Sequence, residues 1–162
     1  IGIDLYWDKK TLNIQKAAFI EQINWAKEYK LPIVIHARDS YKEIFEILDL
    51  LNDEDLRGVF HCFSSDLKDA NHILNYGKFK LGIGGVVTFK NAGLDKTLSE
   101  IPIENIVLET DSPYLSPVPF RGKRNKSSYI TLIAKKISEI YSLEITEIEK
   151  ITTNNAQEIF KL

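Results

Sequence analysis

The chain has 162 residues, 44% of them hydrophobic, which suits one folded domain with its own core. Its formal net charge of −2 excludes a module that coats nucleic acid by overall charge, so any nucleic-acid contact is expected to be local. The single cysteine, Cys62, excludes an internal disulfide framework, and no apolar run reaches the roughly 18 residues of a membrane span. With no secretory leader visible, a reducing, cytoplasmic setting is the expectation.

In chain order, Ile1-Gly2-Ile3-Asp4 reads as the end of a buried strand. Together with the absence of methionine, it suggests a piece of a longer protein. Asn13 is a capping residue for a helix to about Tyr29, with Ile14, Ala18, Trp25 and Tyr29 along one face. Residues 31–37 form a short run rich in Ile, Val and Leu, as do residues 58–63, 79–84 and 106–110 (with Phe). Each is too short for a typical helix and fits a parallel strand buried on both faces. Between them, Ser40 caps a helix with Ile44, Ile47, Leu48 and Leu51 inward. Residues 66–76 make a helix stopped by Gly77, and residues 91–99 a weaker one. After Ser127 or Ser128, the spacing of Ile130, Ile133, Ala134, Ile137 and Tyr141 predicts a clear helix. Thr146-x-x-Glu149 and Asn154-x-x-Gln157 resemble capping boxes and predict two short helices at the end.

Alternation of this kind means βαβ units and a parallel sheet, either a doubly wound open sheet or a (β/α)8 barrel. A barrel takes about 250 residues, so this single domain of residues 1–162 would be about its second half. A dinucleotide-binding open sheet is disfavoured, because Gly82, Gly84 and Gly85 lack the G-x-G-x-x-G spacing.

The polar residues fall at strand ends. His36 and His61 end the first two complete strands and Asp111 follows the last. Parallel strands share one C-terminal side, so the three side chains are expected on one face. Imidazole and carboxylate are a ligand set for Zn²⁺, Mn²⁺ or a similar ion, one or two per site. The competing reading is a pair of hydrogen-bonded structural histidines. Buried alone after an apolar strand, however, Asp111 would cost several kcal/mol. The loop after Asp111 carries Arg121, Lys123, Arg124 and Lys126 beside Phe120. It suits phosphate contacts and stacking on a splayed base, or is simply a solvated basic loop. Arg38 and Asp39 are expected to orient ligands or to form an ion pair at the Ser40 helix start. Cys62 should point away from His61 and pack, and His72 reads as surface. Ser64 and Ser112 lack a G-x-S-x-G elbow, which argues against a serine hydrolase.

With these residues in order, the chain resembles the TatD family of metal-dependent hydrolases. The resemblance runs through Ile1-Gly2-Ile3-Asp4, Leu31-Pro32-Ile33-Val34-Ile35-His36-Ala37-Arg38-Asp39, His61-Cys62-Phe63-Ser64 and Gly82-Ile83-Gly84-Gly85. It continues through Leu108-Glu109-Thr110-Asp111-Ser112-Pro113-Tyr114-Leu115 and Arg121-Gly122-Lys123-Arg124-Asn125. The resemblance implies an amidohydrolase-like TIM barrel with a metal centre of one or two divalent ions (Mg²⁺, Mn²⁺ or Zn²⁺). It implies His36, His61 and Asp111 as ligands and deoxyribonuclease activity, in some members 3′→5′; on chemical grounds Asp111 is also expected to serve as general base. DNA, with single-stranded ends favoured, is the implied partner, and Arg121, Lys123 and Arg124 are the expected phosphate contacts. The family's N-terminal His-x-His and the metal-binding glutamate before the Gly-Ile-Asp stretch do not occur here, and Ser65 stands where glycine is usual. A whole barrel is expected to carry roughly 90 further residues. Half a barrel has two open sheet edges, so the segment alone is expected to be poorly soluble or inactive. The alternatives are a hydrolase of another ester or amide and a non-catalytic binding module.

Overall fold

Five short apolar segments pair into one parallel sheet in the order in which they occur: β1 (Gly2–Asp4), β2 (Ile33–Arg38), β3 (Gly58–His61), β4 (Phe79–Ile83) and β5 (Ile106–Leu108). The computed structural model describes every residue from Ile1 to Leu162. Four crossovers carry α1 (Leu12–Glu28), α2 (Tyr41–Leu51), α3 (Leu67–Asn75) and α4 (Leu94–Ser99). Two further helices, α5 (Ile130–Tyr141) and α6 (Ile145–Phe160), follow β5. The strand order never reverses. A doubly wound sheet binds its ligand where the order reverses, and this sheet has no such point. Sequential winding is how a (β/α) barrel is built.

Side chains alternate across a strand, and this decides where the chemistry sits. Ile33 and Ile35 of β2, Phe60 of β3 and Leu81 and Ile83 of β4 join the main core, on the helix-covered face. Val34, His36 and Arg38 of β2, Val59 and His61 of β3, and Lys80 and Gly82 of β4 therefore share the other face. Below the histidines that face is closed by the end of α6, where Ile159 packs on Val59 and Val107. No helix is long and apolar enough to cross a membrane.

Local structure departs from the expected pattern in two places. In α1 the buried residues are Phe19, Ile23 and Ala26, while Ile14 is 73% exposed and Trp25 and Tyr29 are also exposed. The buried stripe lies one residue, about 100°, round the helix from the expected one. Apolar residues occupy both faces of α1, and only one meets the sheet. The helix also begins after Thr11, not Asn13. The two short helices expected at the end are one helix, α6. Ile148, Thr152, Asn155 and Ile159 recur at helical spacing through the supposed break, and Asn154-x-x-Gln157 lies inside the helix. Elsewhere the expected starts hold. Asp66 caps α3 by accepting from Asp69 N–H at 3.0 Å. Ser40 precedes α2, although its hydroxyl donates to Ile3 O at 2.6 Å and thereby ties α2 to β1.

Buried Asn155 fixes α6 to the sheet. Its amide donates to Ile103 O at 2.9 Å and Ile106 O at 2.8 Å. Asn155→Ala removes both of these bonds, although Ile103 O keeps the Ile106 N–H, and is expected to cost about 1–3 kcal/mol. Urea unfolding would read this as a lower midpoint at unchanged slope; a midpoint equal to that of the parent would show that these two bonds do not hold α6 to the sheet.

Candidate metal centre

His36 and His61 are register partners on adjacent strands, and their ring centroids lie 6.3 Å apart. The row they share continues into Gly2 on β1 and, across β4, into Gly82, which pairs with Val107. Gly82 leaves a gap beside His61. A Cβ there would lie 2.5 Å from Glu109 Oε2, so the glycine makes room for that carboxylate. Glu109 fills the space and reaches His61 Nδ1 at 2.9 Å. The same Oε1 accepts Cys62 N–H at 2.7 Å, which fixes the carboxylate from a second side. Asp111 follows in the left-handed region, φ 55°, a conformation aspartate tolerates better than most residues. Its Oδ1 lies 3.1 Å from His61 Nε2.

His61 therefore has a carboxylate at each ring nitrogen. A neutral imidazole carries one N–H, so one of the two contacts would set a lone pair against an acceptor. Positive charge resolves this. The Glu109 hydrogen bond raises the His61 pKa; burial opposes the shift, and the charges of Glu109 and Asp111 reinforce it. A cation held between Nε2 and Asp111 meets the same requirement. Ligand distances of about 2.1 Å at angles of about 90–110° put neighbouring donor atoms about 3.0–3.4 Å apart, so the His61–Asp111 separation fits one edge of a metal shell. Glu109 on Nδ1 would then hold the ring from outside, as carboxylates commonly do for metal-bound histidines.

His36 is engaged differently. Its Nε2 lies 2.9 Å from Asp4 Oδ2. Burial works against ionisation of Asp4, but the Tyr6 N–H bond, His36 and Arg38 outweigh it and hold the pKa low. As the side chains stand, no three His, Cys, Asp or Glu groups converge on a point that could hold a metal ion. The structure thus brings His61 and Asp111 into contact and sets His36 beside them in register, turned toward Asp4.

Asp4 and Glu109 were not singled out from the sequence. Asp4 obeys the rule that found the histidines, a polar residue at a strand's C-terminal end. Glu109 was hidden by its neighbour Asp111, although it lies on the same face as Val107. Cys62 lies part-buried beside the site with its thiol pushed up to about 12, first by burial and then by Glu109 and Asp111, consistent with a packing residue. His72 is half-exposed on α3, stacked on Phe45 and 2.8 Å from Asp49, away from the strand ends. Arg38 forms no ion pair at the Ser40 helix start; it lies over the Tyr6 ring, 3.6 Å from the centroid.

The basic loop is tied to the Asp111 segment by buried Asn125. Its amide donates to Thr110 O and Tyr114 O, each at 2.6 Å, and its N–H to Pro113 O at 3.0 Å. Arg121, Lys123, Arg124 and Lys126 are exposed and make no ion pairs. Arg121 lies 4.3 Å over Phe89. Phe120, expected to be free for a base, is already stacked on Tyr129 at 4.5 Å, so the ring braces the loop from within.

The family model described as TatD related DNase matches residues 1–161. YabD of Bacillus subtilis, described as an uncharacterized metal-dependent hydrolase, is 42% identical over 100% of this chain and 64% of its own length. YcfH of Escherichia coli K12, described in the same words, is 33% identical over 99% of this chain and 61% of its own. The chain thus spans a little over six-tenths of the relatives it matches. The crystal structure of YJJV, a TatD homolog from Escherichia coli K12, is similar with a TM-score of 0.93 at 27% identity, covering 100% of this chain and 62% of that one. A TatD family hydrolase from Entamoeba histolytica shares the fold with a TM-score of 0.82 at 23% identity, over 99% of this chain and 61% of that one.

Glu109→Gln keeps an amide oxygen that can accept from His61 and Cys62 but removes the negative charge beside the ring. It is expected to weaken divalent-metal affinity about 10- to 100-fold at unchanged circular dichroism. Calorimetric titration with Mn²⁺ or Zn²⁺ checks this, and equal affinity in the variant would exclude Glu109 from the support of His61.

Proposed function

We propose, from the premise that this chain belongs to the TatD-related DNase family, that its protein is a metal-dependent hydrolase that cleaves phosphodiester bonds in DNA. The observation that carries this reading is the His61 imidazole between Glu109 and Asp111, beside a loop with four unpaired cations. The five strands are proposed to be about the second half of a (β/α)8 barrel. Their sequential order and the likeness to YJJV support that reading.

His61, Asp111 and His36 would hold one or two divalent ions, of which Mg²⁺, Mn²⁺ and Zn²⁺ suit the donors. Bound there, such an ion supplies Lewis acidity toward a phosphoryl oxygen and a water. Glu109 keeps Nδ1 of His61 protonated, so that Nε2 presents its lone pair. Asp111 takes the proton of the attacking water as general base. The water oxygen bonds to phosphorus, and the bond from phosphorus to the leaving oxygen breaks. Arg121, Lys123 and Arg124 hold flanking phosphates, in a loop that Asn125 keeps against the Asp111 segment. Hydrolases of other esters and amides use similar donor sets. The unpaired cations favour an anionic, phosphate-rich substrate, and single-stranded ends suit a narrow barrel mouth better than intact duplex.

The test uses the complete protein, stripped of metal, with an end-labelled single-stranded oligonucleotide and Mg²⁺, Mn²⁺ or Zn²⁺ in turn. Metal-dependent shortening is expected, with kcat lowered at least about 100-fold in Asp111→Asn at an unchanged fold. Equal turnover in that variant would remove Asp111 from the mechanism. Absence of cleavage in folded, metal-loaded protein would point to a different hydrolase substrate.

A further inference from the structure

On the far side of the histidines from the basic loop, the chain leaving β1 carries two aromatic residues at the surface. Trp7 is 84% exposed and Tyr6 50% exposed. Their rings meet edge to face at 4.7 Å. Leaving an indole in water forgoes a large hydrophobic gain, and this one stands out from the surface beside Tyr6. Tyr6 N–H donates to Asp4 Oδ1 at 3.0 Å, and the other oxygen of that carboxylate contacts His36. Leu5 N–H donates to Arg38 O at 2.9 Å, which locks the exit of β1 to β2. The Arg38 guanidinium carbon lies over the Tyr6 ring, 3.6 Å from its centroid. Arg38 is two residues beyond His36 on the same face of β2, about 7 Å further along the strand. It makes no ion pair, so its N–H edge is not committed to a carboxylate. Asp8, the nearest acid along the chain after Trp7, accepts Lys10 N–H at 2.8 Å. A continuous strip of indole, phenol and guanidinium thus leads to His36.

We propose that Trp7, Tyr6 and Arg38 form a platform for one unpaired base of a nucleic-acid strand, next to the phosphate at the histidine face. This rests on the phosphodiesterase reading above. Trp7 stacks on the base, Tyr6 buttresses the indole, and the Arg38 N–H edge binds the adjoining phosphate. A paired base cannot lie on the indole without leaving its duplex, so the platform selects single strands or frayed ends. An aromatic face accepts any base, so the selection is for strandedness and not for sequence.

The experiment is a cycle on the complete, metal-loaded protein. Cleavage of single-stranded DNA oligonucleotides is measured for the parent, Trp7→Ala and Trp7→Phe, with an abasic unit placed at each position in turn. Trp7→Ala is expected to raise KM about 5- to 100-fold with kcat changed less than about twofold, and Trp7→Phe to restore most of the loss. One abasic position should raise KM in the parent by a similar factor and cost Trp7→Ala nothing further. Equal KM in Trp7→Ala, or a loss that adds to every abasic substitution, would overturn the platform while leaving the nuclease reading intact. A parent protein that cleaves no oligonucleotide would overturn both.

Discussion

One imidazole, that of His61, organises the C-terminal end of this sheet. Two carboxylates converge on its two nitrogens, Glu109 at 2.9 Å and Asp111 at 3.1 Å, and a neutral ring cannot donate to both. Negative charge is thereby concentrated where only a proton or a cation can satisfy it. Glu109 faces Nδ1 and Asp111 faces Nε2, so the two carboxylates meet different atoms of the same ring.

The backbone makes this arrangement possible in small ways. Parallel register places His36 and His61 side by side, so their order in the chain becomes proximity in space. Gly82 withholds a side chain from the row, and Glu109 occupies the gap. Asp111, in the left-handed region, brings its carboxylate to His61 at the end of β3. Asn125, buried and fully bonded, then holds a loop of uncompensated cations against the segment that carries that aspartate. Glu109 and Asn125 are separated by a loop that leaves and returns, yet both serve the placement of Asp111 and its surroundings.

Much of this was legible in the sequence because it followed from periodicity. Short apolar runs became strands within about two residues of the expected bounds, with His36 and His61 near the ends of β2 and β3 and Asp111 shortly after β5. What periodicity does not encode was missed. Glu109 acts across the gap left by Gly82, a relation between strands that spacing along one strand cannot reveal. The buried stripe of α1 was displaced because Ile14, Trp25 and Tyr29 are as apolar as Phe19 and Ile23, and only contact with the sheet separates the two faces. The unity of α6 was obscured because Asn154 and Asn155 look like a break, whereas Asn155 bonds to the sheet from mid-helix. Phe120 and Arg38 both found aromatic partners, Tyr129 and Tyr6, that lie far from them in the chain.

The most direct test of the account is the anomalous signal from a crystal of the complete protein soaked with Mn²⁺. The predicted result is a peak about 2.1–2.3 Å from both His61 Nε2 and Asp111 Oδ1, with Glu109 still on Nδ1 and outside the metal shell. A Mn²⁺ peak elsewhere, or His61 still bridging its two carboxylates in protein saturated with the ion, would contradict it.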